Sequence, residues 1–278
     1  MTPPRSVAVI GLGMIGGSVA RGLAAQGVEI LGYDTNSSYL DAAVNAGVVS
    51  RRLPDGLESI GNAEAVVIAV YGDAALHALE CLKQHRNEVS LITDVGSTKR
   101  TIVASAERLA LGDCFVGSHP FAGDHRSGWP ASRVDLFQNE VVYLCPTSES
   151  SESAMHTANS LWTLLGGAPV QIDATKHDEL LAWTSHLPHV VSATLALALA
   201  ERGIDRAHLG RGGRDVARLA GGSPELWATI ALENASSIDG ALSAMEGELA
   251  AFRLLLQKGD REAMKARLSR ARDWSDRR

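Results

Sequence analysis

The stretch Val7-Ala8-Val9-Ile10-Gly11-Leu12-Gly13-Met14-Ile15-Gly16 decides the fold. An apolar run rich in β-formers enters glycines spaced G-x-G-x-x-G, and a helical pattern, Ile15–Gln26, follows at once. A strand that turns tightly into a helix sets unpaired helix N–H groups where a pyrophosphate binds. Gly11 is read as the tight turn, Gly13 as the point of close approach to the pyrophosphate, and Gly16 as the close helix–strand contact, with Met14 and Ile15 opening the helix. Asp34 ends the next strand 18 residues after Gly16. That is close to the ~20 expected for the acid that holds the adenosine ribose, and it favours NAD over NADP. Val70 and Tyr71, in the loop Val70-Tyr71-Gly72-Asp73, are placed at the same sheet end. There Tyr71 either covers the cofactor or is a plain surface residue.

The rhythm continues outward from this turn. Apolar runs at Val7–Ile10, Glu29–Tyr33, Ala65–Val70, Ser90–Asp94, Phe115–Gly117, Val141–Leu144 and Val170–Ile172 alternate with helical stretches. The helices are read at Ile15–Gln26, Ser38–Ala46, Asp73–His85, Thr98–Leu109 and Glu152–Leu165. This βαβ pattern predicts a mostly parallel sheet, buried on both faces, with a crevice at the strand C-termini. After Asp173 only helices are expected, at His177–Glu201, Asp205–Leu209, Pro224–Lys258 and Asp260–Ser275. The chain thus divides into an α/β Rossmann-type dinucleotide-binding domain, 1–173, and an all-α helical domain, 174–278. Leu180–Ala200 is too apolar to stand in water, so it packs either on the first domain or on a second copy, and the second option predicts a homodimer.

Composition narrows the classes. With 278 residues, 45% hydrophobic and 21% charged, the chain can bury a sizeable core and is not disordered. A net charge of −6 argues against nucleic acid as a partner. The basic stretch Lys258–Arg278 mixes eight Lys/Arg with four Asp/Glu, as a solvated last helix does. No run reaches the roughly 18–20 apolar residues of a membrane span, and the N-terminus does not read as a signal peptide. Cys81, Cys114 and Cys145, odd in number and widely spaced, read as thiols of a reducing cytoplasm.

Three clusters carry candidate chemistry. Asp94-Val95-Gly96-Ser97-Thr98-Lys99 joins a strand to a helix, so Ser97 is either a helix cap or a catalytic hydroxyl. Its lysine lacks the G-x-x-x-x-G spacing of an ATP-binding loop. The loop from Gly117 to Trp129 collects His119, His125 and Arg126, and Pro120 biases His119 away from helical geometry. In the helical part, His177-Asp178 precedes Ser185-His186-Leu187-Pro188-His189. His186 and His189 share a helix face, with Asp178 on a similar one two turns earlier. Zinc is not implied, because H-E-x-x-H is absent and Pro188 interrupts the helix. No G-x-S-x-G elbow marks a serine hydrolase.

These clusters, together with Gly213-Arg214-Asp215 and Pro224-Glu225-Leu226-Trp227, resemble the prephenate/arogenate dehydrogenase family over nearly the whole chain. His119-Pro120-Phe121-Ala122-Gly123 and Ser185–His189 are the most specific part. The resemblance implies an NAD(P)-binding domain followed by a dimerising helical domain, and oxidative decarboxylation of a cyclohexadienol in tyrosine biosynthesis. It implies that His119 is the catalytic histidine bonded to the ring hydroxyl, and that Ser97 supports both His119 and the cofactor. Arg218, nine residues before Trp227, matches the arginine that binds a substrate carboxylate. Asp178, His186 and His189 match pocket residues, with Arg214 the alternative arginine and Trp227 beside the pocket. His125 stands where many members carry glutamate, and Arg126 where lysine is common. His125 is either a donor that favours the keto side chain of prephenate over the ammonium of arogenate or a solvated loop residue with no bearing on that choice.

Two other readings use the same glycines. A β-hydroxyacid-type dehydrogenase relies on a lysine early in its helical domain, where this chain offers Lys176. A silent NAD-binding sensor needs Asp34 but not His119, Asp178, His186 and Arg218 together.

Overall fold

The computed structural model describes residues 3–123 and 126–277. Strand β1 (Ser6–Ile10) is buried throughout, Val7 and Val9 on one face and Ala8 and Ile10 on the other. The two-residue period of a strand divides these side chains between two cores, so an unbroken apolar run marks a central strand. Helix α1 (Met14–Ala25), β2 (Glu29–Tyr33), α2 (Ser37–Asn45) and the two-residue β3 (Arg51–Arg52) follow. After them come β4 (Ala65–Ile68), α3 (Asp73–Leu82), β5 (Leu91–Asp94) and α4 (Arg100–Arg108). The five strands pair in parallel in the order β3-β2-β1-β4-β5. Their C-terminal ends therefore lie on one side, where the glycine turn sits.

Three more strands extend this layer: β6 (Val116–Pro120), β7 (Val141–Pro146) and, after α5 (Glu152–Leu164), β8 (Ala168–Gln171). A parallel bridge from Ile92 to Phe115 joins them to β5. The sheet is mostly parallel, as expected, and the exception is β7, which runs antiparallel to β6 and parallel to β8. Between β6 and β7 the described residues form only a single 3-10 turn, Trp129–Ala131, and no crossover helix. A parallel return needs such a crossover, so the chain comes back antiparallel; α5 supplies one for β8. One correction concerns β6, expected to end at Gly117. It continues through His119, which pairs with Tyr143 inside the sheet instead of lying in the following loop.

From Asp173 onward the chain is helical. Asp173 accepts the amides of Thr175 and Lys176 and starts α6 (Ala174–Leu181). The helix expected over His177–Glu201 is interrupted: a π-helical turn, Ala182–His186, separates α6 from α7 (Leu187–Ala200). Pro188 has no N–H to continue the regular ladder, which accounts for the change of pitch there. A 3-10 turn at Arg206–His208, α8 (Arg211–Val216) and a second 3-10 turn at Ala217–Gly221 follow. The long helix expected at Pro224–Lys258 is two, α9 (Pro224–Glu233) and α10 (Ala235–Lys258), broken at Asn234. Asn234 is fully buried, and its side-chain bonds across the fold, described below, hold it off helical geometry. Helix α11 (Arg261–Ser275) closes the chain.

Helix α7 buries only Leu187 and Ser192 of its 14 residues. Leu197 is 66% exposed and Leu232 of α9 is 78% exposed, so a single copy leaves a broad apolar face uncovered. Among the described residues, no helix is long and apolar enough to cross a membrane.

The glycine turn is sterically specified. Gly11 has φ +93°, a backbone region that side chains avoid. A Cβ on Gly16 would lie 1.9 Å from the Gly11 carbonyl oxygen and 2.6 Å from Ala69 Cβ. Gly16→Ala is expected to cost roughly 1–3 kcal/mol of stability, because backbone has to move. Urea unfolding of the variant checks this, and an unchanged midpoint would contradict the packing described.

Candidate active site

At the end of the sheet, against the first helices of the second domain, three buried polar side chains form a chain of hydrogen bonds. His119 Nδ1 lies 2.9 Å from His177 Nε2, and His177 Nδ1 lies 2.8 Å from Asp178 Oδ1. The bonds assign the tautomers. A carboxylate only accepts, so His177 donates from Nδ1 and presents the Nε2 lone pair; His119 must then donate from Nδ1 and keep its own Nε2 as a lone pair. His119 is thereby held as a base. Burial, then the proximity of His177, Lys99 and His186, keeps its pKa well below the ordinary 6.5. His177 is lowered as well, chiefly by burial, against the opposing pull of Asp178.

Asp178 gathers the two domains. Its oxygens accept the backbone amides of Lys99 at 2.8 Å and Arg100 at 3.0 Å, and Arg100 Nε at 3.3 Å. Burial acts to raise this carboxyl's pKa, but the hydrogen bonds from His177, Arg100 and Lys99 outweigh it and the net shift is downward. The first orphan amides of α4 are thus capped by a side chain from the other domain. This corrects two expectations. Ser97 does not cap that helix, and lies half-buried in the loop before it. Asp178 is not an open pocket residue but is fully buried beneath the histidines.

Asn234 extends the network. Its Nδ2 donates to the Asp178 carbonyl at 2.7 Å and to His186 Nδ1 at 3.1 Å, while its Oδ1 accepts Arg100 Nη2 at 2.6 Å. His186 therefore carries its proton on Nε2, and that buried atom has no hydrogen-bond partner among the described residues. Burial lowers the pKa of His186 to about 4, so the ring is a neutral donor. His186 meets Trp227 edge-on at 6.2 Å, and His189 stacks on Trp227 at 3.5 Å. Arg218, on the 3-10 turn after α8, is exposed and lies close enough to His189 to help depress its pKa, after burial. Arg214 is turned away to the Leu209 carbonyl at 2.6 Å. His125 lies outside the described residues.

At the nucleotide end, no side chain among the described residues caps α1 and its first turn holds no acid, so its amides remain available to an anion. A Cβ on Gly13 would meet nothing within 4 Å, which leaves the space that a pyrophosphate needs. Asp34 Oδ2 accepts the Leu12 amide at 2.6 Å and Oδ1 the Asn36 amide at 2.7 Å, which fixes the carboxylate beside the glycine turn. Val70 is half-buried and Tyr71 exposed in the loop after β4, and a Cβ on the neighbouring Gly72 would touch Thr229 of α9 at 3.2 Å. That loop therefore abuts the helical domain.

Sequence reasoning left His177, Asn234, Arg100 and Tyr143 without roles. For His177 a signal existed in its adjacency to Asp178. Tyr143 packs on His177 at 5.4 Å and on the His119 ring at 6.4 Å, while Phe121, 44% exposed, meets His119 edge-on at 6.0 Å.

A glycine-turn nucleotide fold, with a polarised histidine at its junction with a helical domain, defines a two-domain dinucleotide-dependent oxidoreductase. Residues 19–171 match the family model described as the nucleotide-binding domain of prephenate dehydrogenase, and residues 173–270 match its dimerization domain. The chain belongs to the prephenate dehydrogenase family. It is 30% identical to prephenate dehydrogenase of Bacillus subtilis over 98% of this chain and 75% of that one. It is also 30% identical to cyclohexadienyl dehydrogenase of Zymomonas mobilis, over 97% of each. The crystal structure of Aquifex aeolicus prephenate dehydrogenase with hydroxyphenyl propionate and NAD+ superposes with a TM-score of 0.89, at 27% identity over 98% of this chain and 97% of that one.

The depressed histidines give stability a pH dependence of definite sign. A histidine whose folded pKa lies below its unfolded value of 6.5 contributes fully above 6.5, and that contribution is lost as pH falls, because the unfolded chain takes up protons the folded one refuses. For His186, folded pKa about 4, the expected loss between about pH 7.5 and about pH 5 is roughly 2 kcal/mol. Urea titrations at the two pH values, on wild type and His186→Gln, measure it; equal losses in both proteins would contradict the assignment.

Proposed function

We propose that the protein catalyses the NAD-dependent oxidative decarboxylation of prephenate to 4-hydroxyphenylpyruvate, with residues 1–173 holding the cofactor and 174–278 forming the substrate wall and the dimer contact. The observation that carries this reading is the His119–His177–Asp178 chain, which leaves an unprotonated His119 Nε2 at the junction of the domains. Gly11, Gly13 and Gly16, with the amides of Met14 and Ile15, hold the pyrophosphate; Asp34 takes the ribose hydroxyls, and Val70 and Tyr71 border the far side. NAD, when bound, supplies the hydride acceptor.

The protein's own residues handle the proton and the charges. His119 Nε2 accepts the proton of the ring hydroxyl as the carbinol carbon is oxidised, and Ser97 shares in holding that hydroxyl and the cofactor. Loss of the ring carboxylate as carbon dioxide then returns the electron pair to the ring, which becomes aromatic, and the phenolic oxygen recovers a proton from His119. The burial that keeps His119 neutral at the start also makes its imidazolium a good proton donor at the end. Arg218 offers a fork for a substrate carboxylate, and the Nε2–H of His186, without a partner among the described residues, is a second donor near Trp227, with His189 stacked beside it. Asp178 acts behind these groups, holding His177. His125 favours the keto side chain of prephenate over the ammonium of arogenate.

The dimer reading is supported by the uncovered apolar face of α7 and by the description of the second family model. We place the enzyme in the cytoplasm, which the free thiols Cys81, Cys114 and Cys145 suit.

Incubation with NAD and prephenate, followed by NADH absorbance, tests the activity directly. His119→Ala is expected to lower kcat by roughly 10²–10⁴ and to leave NAD affinity nearly unchanged; turnover within about a factor of two of wild type would displace His119 from its role. For the cofactor, kcat/KM with NAD should exceed that with NADP by about tenfold or more, since Asp34 repels a 2′-phosphate. Equal efficiencies would sink that assignment.

A further inference from the structure

Lys99 takes no direct part in the reaction steps described above, yet it is fully buried. Its backbone amide donates to Asp178 Oδ1 at 2.8 Å, and its Nζ donates to the Ser118 carbonyl at 2.8 Å and to Asp94 Oδ2. Asp94 completes a clamp: its Oδ1 accepts the Ser118 amide at 3.2 Å. The two main-chain polar groups of Ser118, the residue before His119, are therefore both held by the Lys99–Asp94 pair. The Ser118 hydroxyl is held in turn by Thr93 Oγ1 at 2.7 Å and Trp162 Nε1 at 2.9 Å. Space for the lysine stem comes from Gly117, where a Cβ would lie 3.3 Å from Lys99 Cδ.

We propose that Lys99 is a positioning residue for His119, framing both ends of the histidine chain: the strand residue before His119 through Nζ, and the terminal carboxylate Asp178 through its backbone amide. This inference rests on the reading of His119 as the base. A buried ammonium is costly unless paired and fully hydrogen-bonded, and pairing with Asp94 meets that condition. The fold gains stability only modestly from such a pair, since apolar residues of similar volume often serve as well. What an apolar pair would not supply is a cation near His119. Among the described residues, the charged and titratable groups around that imidazole are His177, Lys99 and His186, with the Tyr143 ring across the strand pair, Asp178 behind His177, and Asp94 behind Lys99. Of the nearer groups, Lys99 carries a fixed positive charge, which disfavours protonation of His119 and sharpens the proton's return to product.

The test compares wild type, Lys99→Met, the double variant Asp94→Asn/Lys99→Met, and His119→Ala in the holoenzyme with NAD and prephenate. Both Lys99 variants should lose about ten- to a hundredfold in kcat, as displacement of a reacting group does, with KM for both substrates within about threefold. In both, the acid limb of the kcat/KM profile should move to higher pH, because the cation that opposed His119 protonation is gone. A purely structural lysine would lower active protein without moving that limb. The double variant leaves no unpaired Asp94 and supplies the reading if Lys99→Met alone does not fold. A kcat within about twofold of wild type, an acid limb that stays in place, or loss of fold in both variants overturns the proposal. If His119→Ala is itself near wild type, it is the reading of His119 that fails.

Discussion

The carboxylate of Asp178, set against the N-terminus of α4, is the constraint on which the rest of the structure depends. One buried anion satisfies two orphan backbone amides, a guanidinium N–H and a histidine N–H drawn from both domains. A buried charge is tolerated only when so many donors converge on it, and their convergence is what docks the helical domain on the sheet. The same contacts propagate outward. Through His177 they set the tautomer of His119, and through the Arg100–Asn234 bond they set the tautomer of His186. Domain docking and proton chemistry thus share one electrostatic centre.

The central sheet was legible because its physics is local. Val7–Ile10 before three spaced glycines admits few structures other than a buried strand turning into a helix, and both Gly11 and Gly16 occupy positions where a side chain clashes. Elements failed where tertiary contacts overrode the local pattern. Nothing within Pro224–Lys258 announces a break at Asn234, because the break is held by partners on α4 and α6, more than fifty residues away in sequence. The antiparallel β7 was hidden for a related reason: its apolarity reads the same in either direction, and only the connection before it decides.

For the site, residue types were visible and their partnerships were not. His119 and Asp178 stand out in the sequence, but that His177 lies between them is a fact of three dimensions, since 58 residues separate the two histidines. The sequence around Lys99 invites comparison only with a phosphate-binding loop, and a helix start rich in Gly, Ser and Thr carries no sign of the lysine's burial. Arg218 and Trp227 gain their meaning from a helical domain whose chain path, with two 3-10 turns, has weak periodicity.

The π-helical turn at Ala182–His186 has a geometric consequence for how such a site can vary. One residue more than an α-turn holds advances everything beyond it by about 100° around the helix axis and about 1.5 Å along it. Removing a single residue there would bring the turn back toward α pitch, with Pro188 still leaving one gap in the ladder, and it would rotate His186 and His189 away from Trp227 and swing the apolar face of α7 to a different side. The pocket wall and the uncovered face of α7 are consequently locked in phase along one rod. Their relation is set by an angular offset that substitution hardly touches and that a one-residue change in length would erase.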